Sequence, residues 1–453
     1  KGWAVGGFFK EGKPMQKADL LIFRGKVLTL DEQDSIIDPG DVAIRGDTIL
    51  EIGQNLAAKY ISSQVVDARG KLVMPGLVNA HTHAAMTLFR GLADDLGLMD
   101  WLQNHIFPAE SRFMNADNVY LGTLLACIEM IKSGTTTLSD GYFFEADAAR
   151  AVRDAGLRGI VAEGIVDFPS PDMPDPQKRL DLAEEFICQW KESDRVKPGL
   201  FCHSAYTCCP KTLQETKKMA EKHSIPFGIH LAETQTEIQE VMRQYGKRPV
   251  KHLADLGILD ETVMAVHCVW LDPEEIDLLH KFQVKVVHSP ESNMKLASGI
   301  APIPELLQRG ITVGLGTDGC ASNNDLDLFQ EMDTAAKLHK VARFDPTALT
   351  ARQVVRMATM GGAKALGLAS AIGSLEAGKK ADVIVIDLQK PHLVPLYNLY
   401  SHLVYTLNGA DVNSVVINGN ILMRDRKLLH LEEEPIMERV IDLAKGIQKD
   451  QRS

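Results

Sequence analysis

The chain has 453 residues, 45% of them hydrophobic, and a formal charge of −11, with a pI near 5.7. An acidic balance without clustered Lys and Arg excludes an electrostatic nucleic-acid surface, and no apolar stretch reaches the length of a membrane span. The length exceeds the ~250 residues typical of one (β/α)8 barrel, which leaves room for a second unit.

Residues 1–14 precede Met15 and the first patterned strand, and are expected to be a tag or lead-in outside the fold. They lack the basic region, apolar core and small-residue cleavage site of a secretory signal, so a soluble cytoplasmic protein is expected. Seven cysteines, Cys127, Cys188, Cys202, Cys208, Cys209, Cys268 and Cys320, show no CxxC spacing. They read as buried thiols in a reducing compartment.

Strand patterns with turn signals occupy Ala18–Asp47 and Ile49–Gly53, and recur at Ala381–Asp387 and Ser414–Arg424. Neither flank can bury a core alone, so the two are expected to pair into one small β-sandwich, with Gly373–Lys380 marking the return. The organisation expected is therefore 1–71 and 374–453, the latter with a tail helix, as the two parts of that unit, and 72–373 as a catalytic barrel.

The barrel begins with the apolar run Leu72–Ala80, closed by His81, Thr82 and His83. Residues i and i+2 of a strand project together, so both imidazoles can reach one divalent metal ion. Seven more strands are predicted at Thr135–Ser139, Arg158–Asp167, Lys197–His203, Pro226–Ala232, Val263–His267, Val284–His288 and Thr312–Thr317. Helical periodicity fills the gaps at Ala116–Lys132, Glu145–Ala155, Gln177–Lys191, Lys211–Lys222, Pro273–Phe282 and Leu326–Val341. Eight strands alternating with helices specify an α/β fold, a (β/α)8 barrel whose site is built where the strands end. Polar residues fall at those ends: His81 and His83, His203, His230 with Glu233, His267, His288 and Asp318.

A catalytic zinc takes about three protein ligands and keeps an open position for water. His81, His83, His230 and Asp318 are the expected ligands of one metal per chain, zinc first, with iron or manganese as alternatives. The metal lowers the pKa of its water toward ~7. The fourth strand ends in His203 with no lysine to bridge a second ion, and Lys211 reads as a solvated helix residue. Glu233, three residues after His230, is placed to shuttle protons, against the alternative of a helix-start acid before Thr234–Tyr245. His267 is expected to orient the activated water, and His288 is either support for the site or a packed core residue. Gly314–Gly319 matches GxGxxG, but a polar loop rather than a helix follows, so it reads as the last strand delivering Asp318.

The segments PGLVNAHTH, HLAET, AVHCVW, HSPESNMKL and GTDGCASNN resemble the deaminase and chlorohydrolase branch of the amidohydrolase superfamily, from about Ala18 to Arg424. HTHAAMTLFRGLADDLGLMDWLQNHIFPAE is similar to the methylthioadenosine/S-adenosylhomocysteine deaminases. The resemblance implies the same four ligands, Glu233 as proton shuttle and His267 and Asp318 as its catalytic partners. It further implies Glu110 and His203 as ribose contacts, and Trp101 and Ser322 as walls of a nucleoside pocket. The reaction implied is hydrolytic loss of the 6-amino group of a 5′-modified adenosine, giving the inosine analogue and ammonia. Of two arginines that relatives use on the homocysteine carboxylate, one matches Arg179 and the other falls on Glu163, which is expected to disfavour S-adenosylhomocysteine against methylthioadenosine or adenosine. Guanine, oxidised guanine or s-triazine substrates on the same fold, and a non-catalytic scaffold, are the competing readings. The partners expected are a nucleoside and further copies of the chain, in a dimer or tetramer, with no nucleic acid and no membrane.

Overall fold

The computed structural model describes residues 15–451; the stretch 1–14, read as a tag or lead-in, lies outside the described residues. Eight parallel strands, Leu77–Thr82, Thr135–Tyr142, Arg158–Ile165, Val196–Ser204, Phe227–Leu231, Val263–His267, Lys285–His288 and Val313–Leu315, lie side by side in chain order. The barrel is nearly closed, its first and last strands meeting at a Thr82–Asp318 bridge. Asn79 clasps that seam, donating to Thr317 Oγ1 at 2.8 Å and accepting from Thr317 N at 3.1 Å.

Alternation along the strands separates two cores. Val78, Ala80, Ile160, Ala162, Phe201, Met264, Val266 and Val287 fill the barrel interior with Ala363, Leu366 and Ile372. Residues of the opposite parity, such as Val161, Ile165, Val286 and Leu315, pack against the helices outside. The helices start and stop on local chemistry. Asn115 accepts from Asn118 N to open Ala116–Ser133, Asp272 and Glu275 form a capping box before Pro273–Lys281, and Gly134 and Gly156 end their helices at φ 88°.

A second, mixed sheet is assembled from both ends of the chain. Gln16–Leu28 pairs antiparallel with Ile36–Arg45 and parallel with Tyr60–Asp67 and Lys71–Pro75. Val383–Asp387 then pairs antiparallel with Lys71–Pro75, which joins the C-terminal strands to the N-terminal ones. Its core contains Leu20, Ile22, Val42, Ile44, Val383, Val385 and Val416.

The run 72–80, expected to be one barrel strand, is two strands in two sheets. Lys71–Pro75 belongs to the mixed sheet and Leu77–Thr82 to the barrel. The crossing is at Gly76, where an added Cβ would sit 2.1 Å from the Thr136 side chain. The predicted helix Gln177–Lys191 is a short 3-10 turn, Pro176–Lys178, followed by Arg179–Trp190. Not every thiol is buried as expected: Cys188 and Cys209 are exposed. The tail helix Glu433–Gln451 packs on Ala116–Ser133, with Lys132 paired to Glu433 at 2.7 Å. Among the described residues no helix is long and apolar enough to cross a membrane.

Candidate active site

The barrel brings His81, His83 and His230 together at the C-terminal ends of its strands. Between Asn79 and Thr82 the register against the neighbouring strand slips by one residue, a bulge that re-aims side chains. His81 thereby enters the interior and stacks on Phe201 with ring centroids 5.3 Å apart. Gly316 makes room, since a Cβ there would stand 2.8 Å from the His81 carbonyl oxygen.

The outer nitrogens of two rings are spoken for. His83 Nδ1 donates to the Gly141 carbonyl at 2.6 Å and His230 Nδ1 to the His203 carbonyl at 2.9 Å. Those bonds leave both Nε2 atoms bare and facing inward. His230 Nε2 lies 3.3 Å from His81 Nε2, and one nitrogen from each of the three rings falls within 4.8 Å of the others. Convergent imidazole nitrogens in a buried cleft fit a divalent cation, and the three histidines form a metal site. Asp318 Oδ1 adds a carboxylate 3.2 Å from His83 Nε2 and 3.4 Å from His81 Nε2. Its backbone is left-handed, φ 60°, a costly conformation for a residue other than glycine.

The electrostatics separate the groups. Burial pushes His81 down to about 4 and His230 well below its ordinary value. Burial would lower His83 too, but the hydrogen bond and charge of Asp318 outweigh it and raise that ring. Asp318 is held well below the usual carboxylate range despite its burial, by His81 and His83.

Glu233 stands beside this centre. Its Oε1 accepts from Ser298 Oγ at 3.3 Å and its Oε2 is 3.8 Å from His267 Nε2; burial raises its pKa. Capping of the next helix falls instead to Thr234, which accepts from Glu237 N. Glu237 in turn accepts from the backbone of Ala232 and Glu233 at 2.9 and 2.8 Å, holding the loop that carries the acid. Strict alternation after Met264 and Val266 would point His267 away from the interior; its backbone is left-handed, φ 71°, and the ring lines the cavity.

That cavity is lined by His83, His230, Glu110, His203, Trp101 and Ser322 together with the apolar side chains of Leu98, Leu102, Phe107, Phe143 and Val166. Glu110 Oε1 accepts from Tyr142 OH at 2.6 Å, and burial lifts its carboxyl to about 7. Burial lowers His203 to about 4. Trp101 Nε1 is buried with no partner among the described residues, and Ser322 Oγ donates to Asp318 Oδ2 at 3.1 Å.

The family model for the amidohydrolase family matches residues 72–422. The chain belongs to the amidohydrolase family. It is 53% identical over 433 residues to a 5-methylthioadenosine/S-adenosylhomocysteine deaminase of Syntrophobacter fumaroxidans, covering 95% of this chain and 99% of that one. It is 46% identical over 423 residues to a 5′-deoxyadenosine deaminase of Methanosarcina acetivorans, covering 93% and 96%. Among solved structures, an adenosine deaminase of Xanthomonas campestris with bound zinc superposes with a TM-score of 0.94, 36% identity, and coverage of 96% and 100%.

Two sequence expectations meet a different geometry in this amidohydrolase. Glu163 has the parity of the outward-packed Val161 and does not line the cavity. It pairs with Arg179 at 3.3 Å, and Arg179 also holds Asp172 at 2.8 Å; the guanidinium is 2% exposed and does not line the cavity. Of the two readings of His288, the structure agrees with the packed core residue: it is buried, with its Nε2 3.1 Å from His339 Nε2. Sequence reading assigned no role to Tyr142, Glu237, Ser292, Asn293 or Ser298. The last three lie in or beside HSPESNMKL, whose polar side chains between apolar ones were the available signal.

Proposed function

We propose that the protein is a metal-dependent deaminase of 5′-modified adenosines, releasing ammonia and the inosine analogue. The observation that carries the reading is one cavity holding a trihistidine metal site and a buried non-ligand acid, Glu233, at one end and a second buried acid, Glu110, along its wall. The similarity to deaminases of such nucleosides supports the same reading.

One zinc per chain is proposed, held by His81, His83, His230 and Asp318; when bound, it lowers the pKa of water toward ~7. Glu233, whose pKa burial raises, moves one proton from the attacking water to N1 of the ring and a second, from the hydroxyl then on C6, to the departing amine, which leaves the 6-oxo product and ammonia. His267 orients the water toward C6, and Asp318 completes the ligand set. Glu110, already bonded to Tyr142 through Oε1, keeps Oε2 for a ribose hydroxyl, and His203 and the Trp101 N–H supply further sugar-side contacts.

The 5′ substituent is proposed to be small and apolar. No Lys or Arg among the described residues lines the cavity, and Arg179 is consumed by Glu163 and Asp172. Methylthioadenosine and 5′-deoxyadenosine therefore fit better than S-adenosylhomocysteine, whose carboxylate would be buried unpaired. The described cysteines are all free, which supports a cytoplasmic location. The near-complete exposure of Phe344 and Tyr397 supports assembly with further copies of the chain, which sedimentation would measure.

Turnover of methylthioadenosine in ¹⁸O-labelled water tests the reading. It should give the inosine analogue with one heavy oxygen and one ammonia per nucleoside; release of free adenine, or unchanged nucleoside with metal-loaded protein, would refute it.

A further inference from the structure

One short stretch, Ser292–Ser298, touches three reacting side chains from behind. Ser292 Oγ donates to Asp318 Oδ2 at 2.6 Å, Asn293 Oδ1 lies 2.9 Å from His267 Nδ1, and Ser298 Oγ donates to Glu233 Oε1. The three residues are buried. The stretch is fixed in its turn, Asn293 N donating to the Ser289 carbonyl at 3.1 Å and Ser298 N to the Asn293 carbonyl at 2.9 Å. Lys295 ties it to Asp94 and to Asn324.

We propose that Asn293 is the positioning residue for His267, its side-chain carbonyl fixing the ring with the proton on Nδ1 so that Nε2 presents a lone pair to the cavity. A neutral imidazole has one donor and one acceptor nitrogen, and the partner of one decides the role of the other. The 3.8 Å between His267 Nε2 and Glu233 Oε2 is too long for a direct hydrogen bond and suits two groups sharing one water. Such a water gives one hydrogen to Nε2 and the other to Glu233, which leaves its lone pair for the ring carbon. The opposite tautomer would put an N–H against the same oxygen and occupy that lone pair.

The amide nitrogen of Asn293 is buried without a partner among the described residues, so the opposite amide orientation would exchange donor and acceptor and reverse the tautomer. Aspartate and leucine separate the two cases, because aspartate keeps the acceptor and leucine keeps only the volume. The inference rests on the deaminase reading. A wild type that releases no ammonia from any adenosine defeats that reading, whereas variant-to-wild-type ratios in an active enzyme address Asn293 alone.

The test uses the full-length, metal-loaded protein with methylthioadenosine, following kcat, KM, bound metal and Tm. Asn293→Leu should lose about 10- to 100-fold in kcat, the usual effect of removing a group that orients a site residue, with KM within about twofold and metal retained. Asn293→Asp should recover most of that loss. Should the leucine variant not fold, Asn293→Ala takes its place in the comparison. Wild-type turnover without the acceptor overturns the proposal. So does an aspartate variant that folds and binds metal but is as slow as the leucine or alanine variant, since the amide N–H would then be the working group.

Discussion

Oε2 of Glu233 stands 3.8 Å from Nε2 of His267, and neither residue belongs to the three histidines whose nitrogens converge on the metal position. Proton transfer and metal binding are therefore assigned to different side chains. Glu233→Gln should keep its metal and still bind nucleoside, yet lose at least ~10²–10⁴-fold in kcat, the range of general acid/base catalysis. Single-turnover kinetics with parallel metal analysis checks this, and near-normal turnover would return Glu233 to a structural role.

Metal binding should fail when one of the convergent imidazoles is removed. Elemental analysis of the wild type should give close to one divalent ion per chain, and His230→Ala should lose both the ion and the activity. Two equivalents in the wild type, or full occupancy in the variant, would show a different ligand set.

Burial raises the Glu110 carboxyl to about 7, which gives two linked expectations. An acid whose pKa is raised on folding contributes stability that is complete below its unfolded value, 4.5, and that is lost as pH rises through about 7. That displacement corresponds to roughly 3 kcal/mol. Glu110→Gln should therefore gain in Tm relative to wild type as pH rises from about 4.5 to 7, and the difference should level off above that. Over the same window KM for a ribonucleoside should fall as the carboxylate forms and accepts the sugar hydroxyl, while KM for 2′,3′-dideoxyadenosine stays level.

The buried cluster behind the cavity should matter for folding and not for substrate choice. Arg179 is the common partner of Glu163 and Asp172, so Arg179→Met leaves two acids without their cation and should cost about 3–5 kcal/mol of stability. The ratio of kcat/KM for methylthioadenosine over S-adenosylhomocysteine should not move. A cation placed on the cavity wall itself, as in Leu98→Arg, should shift that ratio toward S-adenosylhomocysteine, and less so at high salt if the new charge is exposed.

Much of this site was legible in the sequence because barrel strands deliver side chains at their ends, and His81, His83, His230 and Asp318 each close an apolar run. Legibility failed where a local backbone change decided the outcome. The run 72–80 is apolar on both sides of Gly76 because both of its halves are buried, and Gly76 marks the passage between sheets. Glu163 matches a substrate-side position by resemblance, yet it shares the parity of Val161 and is taken up by Arg179 behind the cavity. His267 does the reverse, reaching the cavity through a left-handed backbone that simple alternation does not foresee. The Tyr142–Glu110 and Asn293–His267 bonds join residues 32 and 26 positions apart, a separation at which sequence pattern carries no signal.

Ammonia release from the metal-loaded protein, measured as kcat/KM over methylthioadenosine, 5′-deoxyadenosine, adenosine, S-adenosylhomocysteine, guanine and cytosine, bears most directly on the proposed activity. The small apolar 5′-substituted adenosines should be the best substrates, S-adenosylhomocysteine weaker, and guanine and cytosine inert. Preference for guanine, or no ammonia from any adenosine, would contradict it.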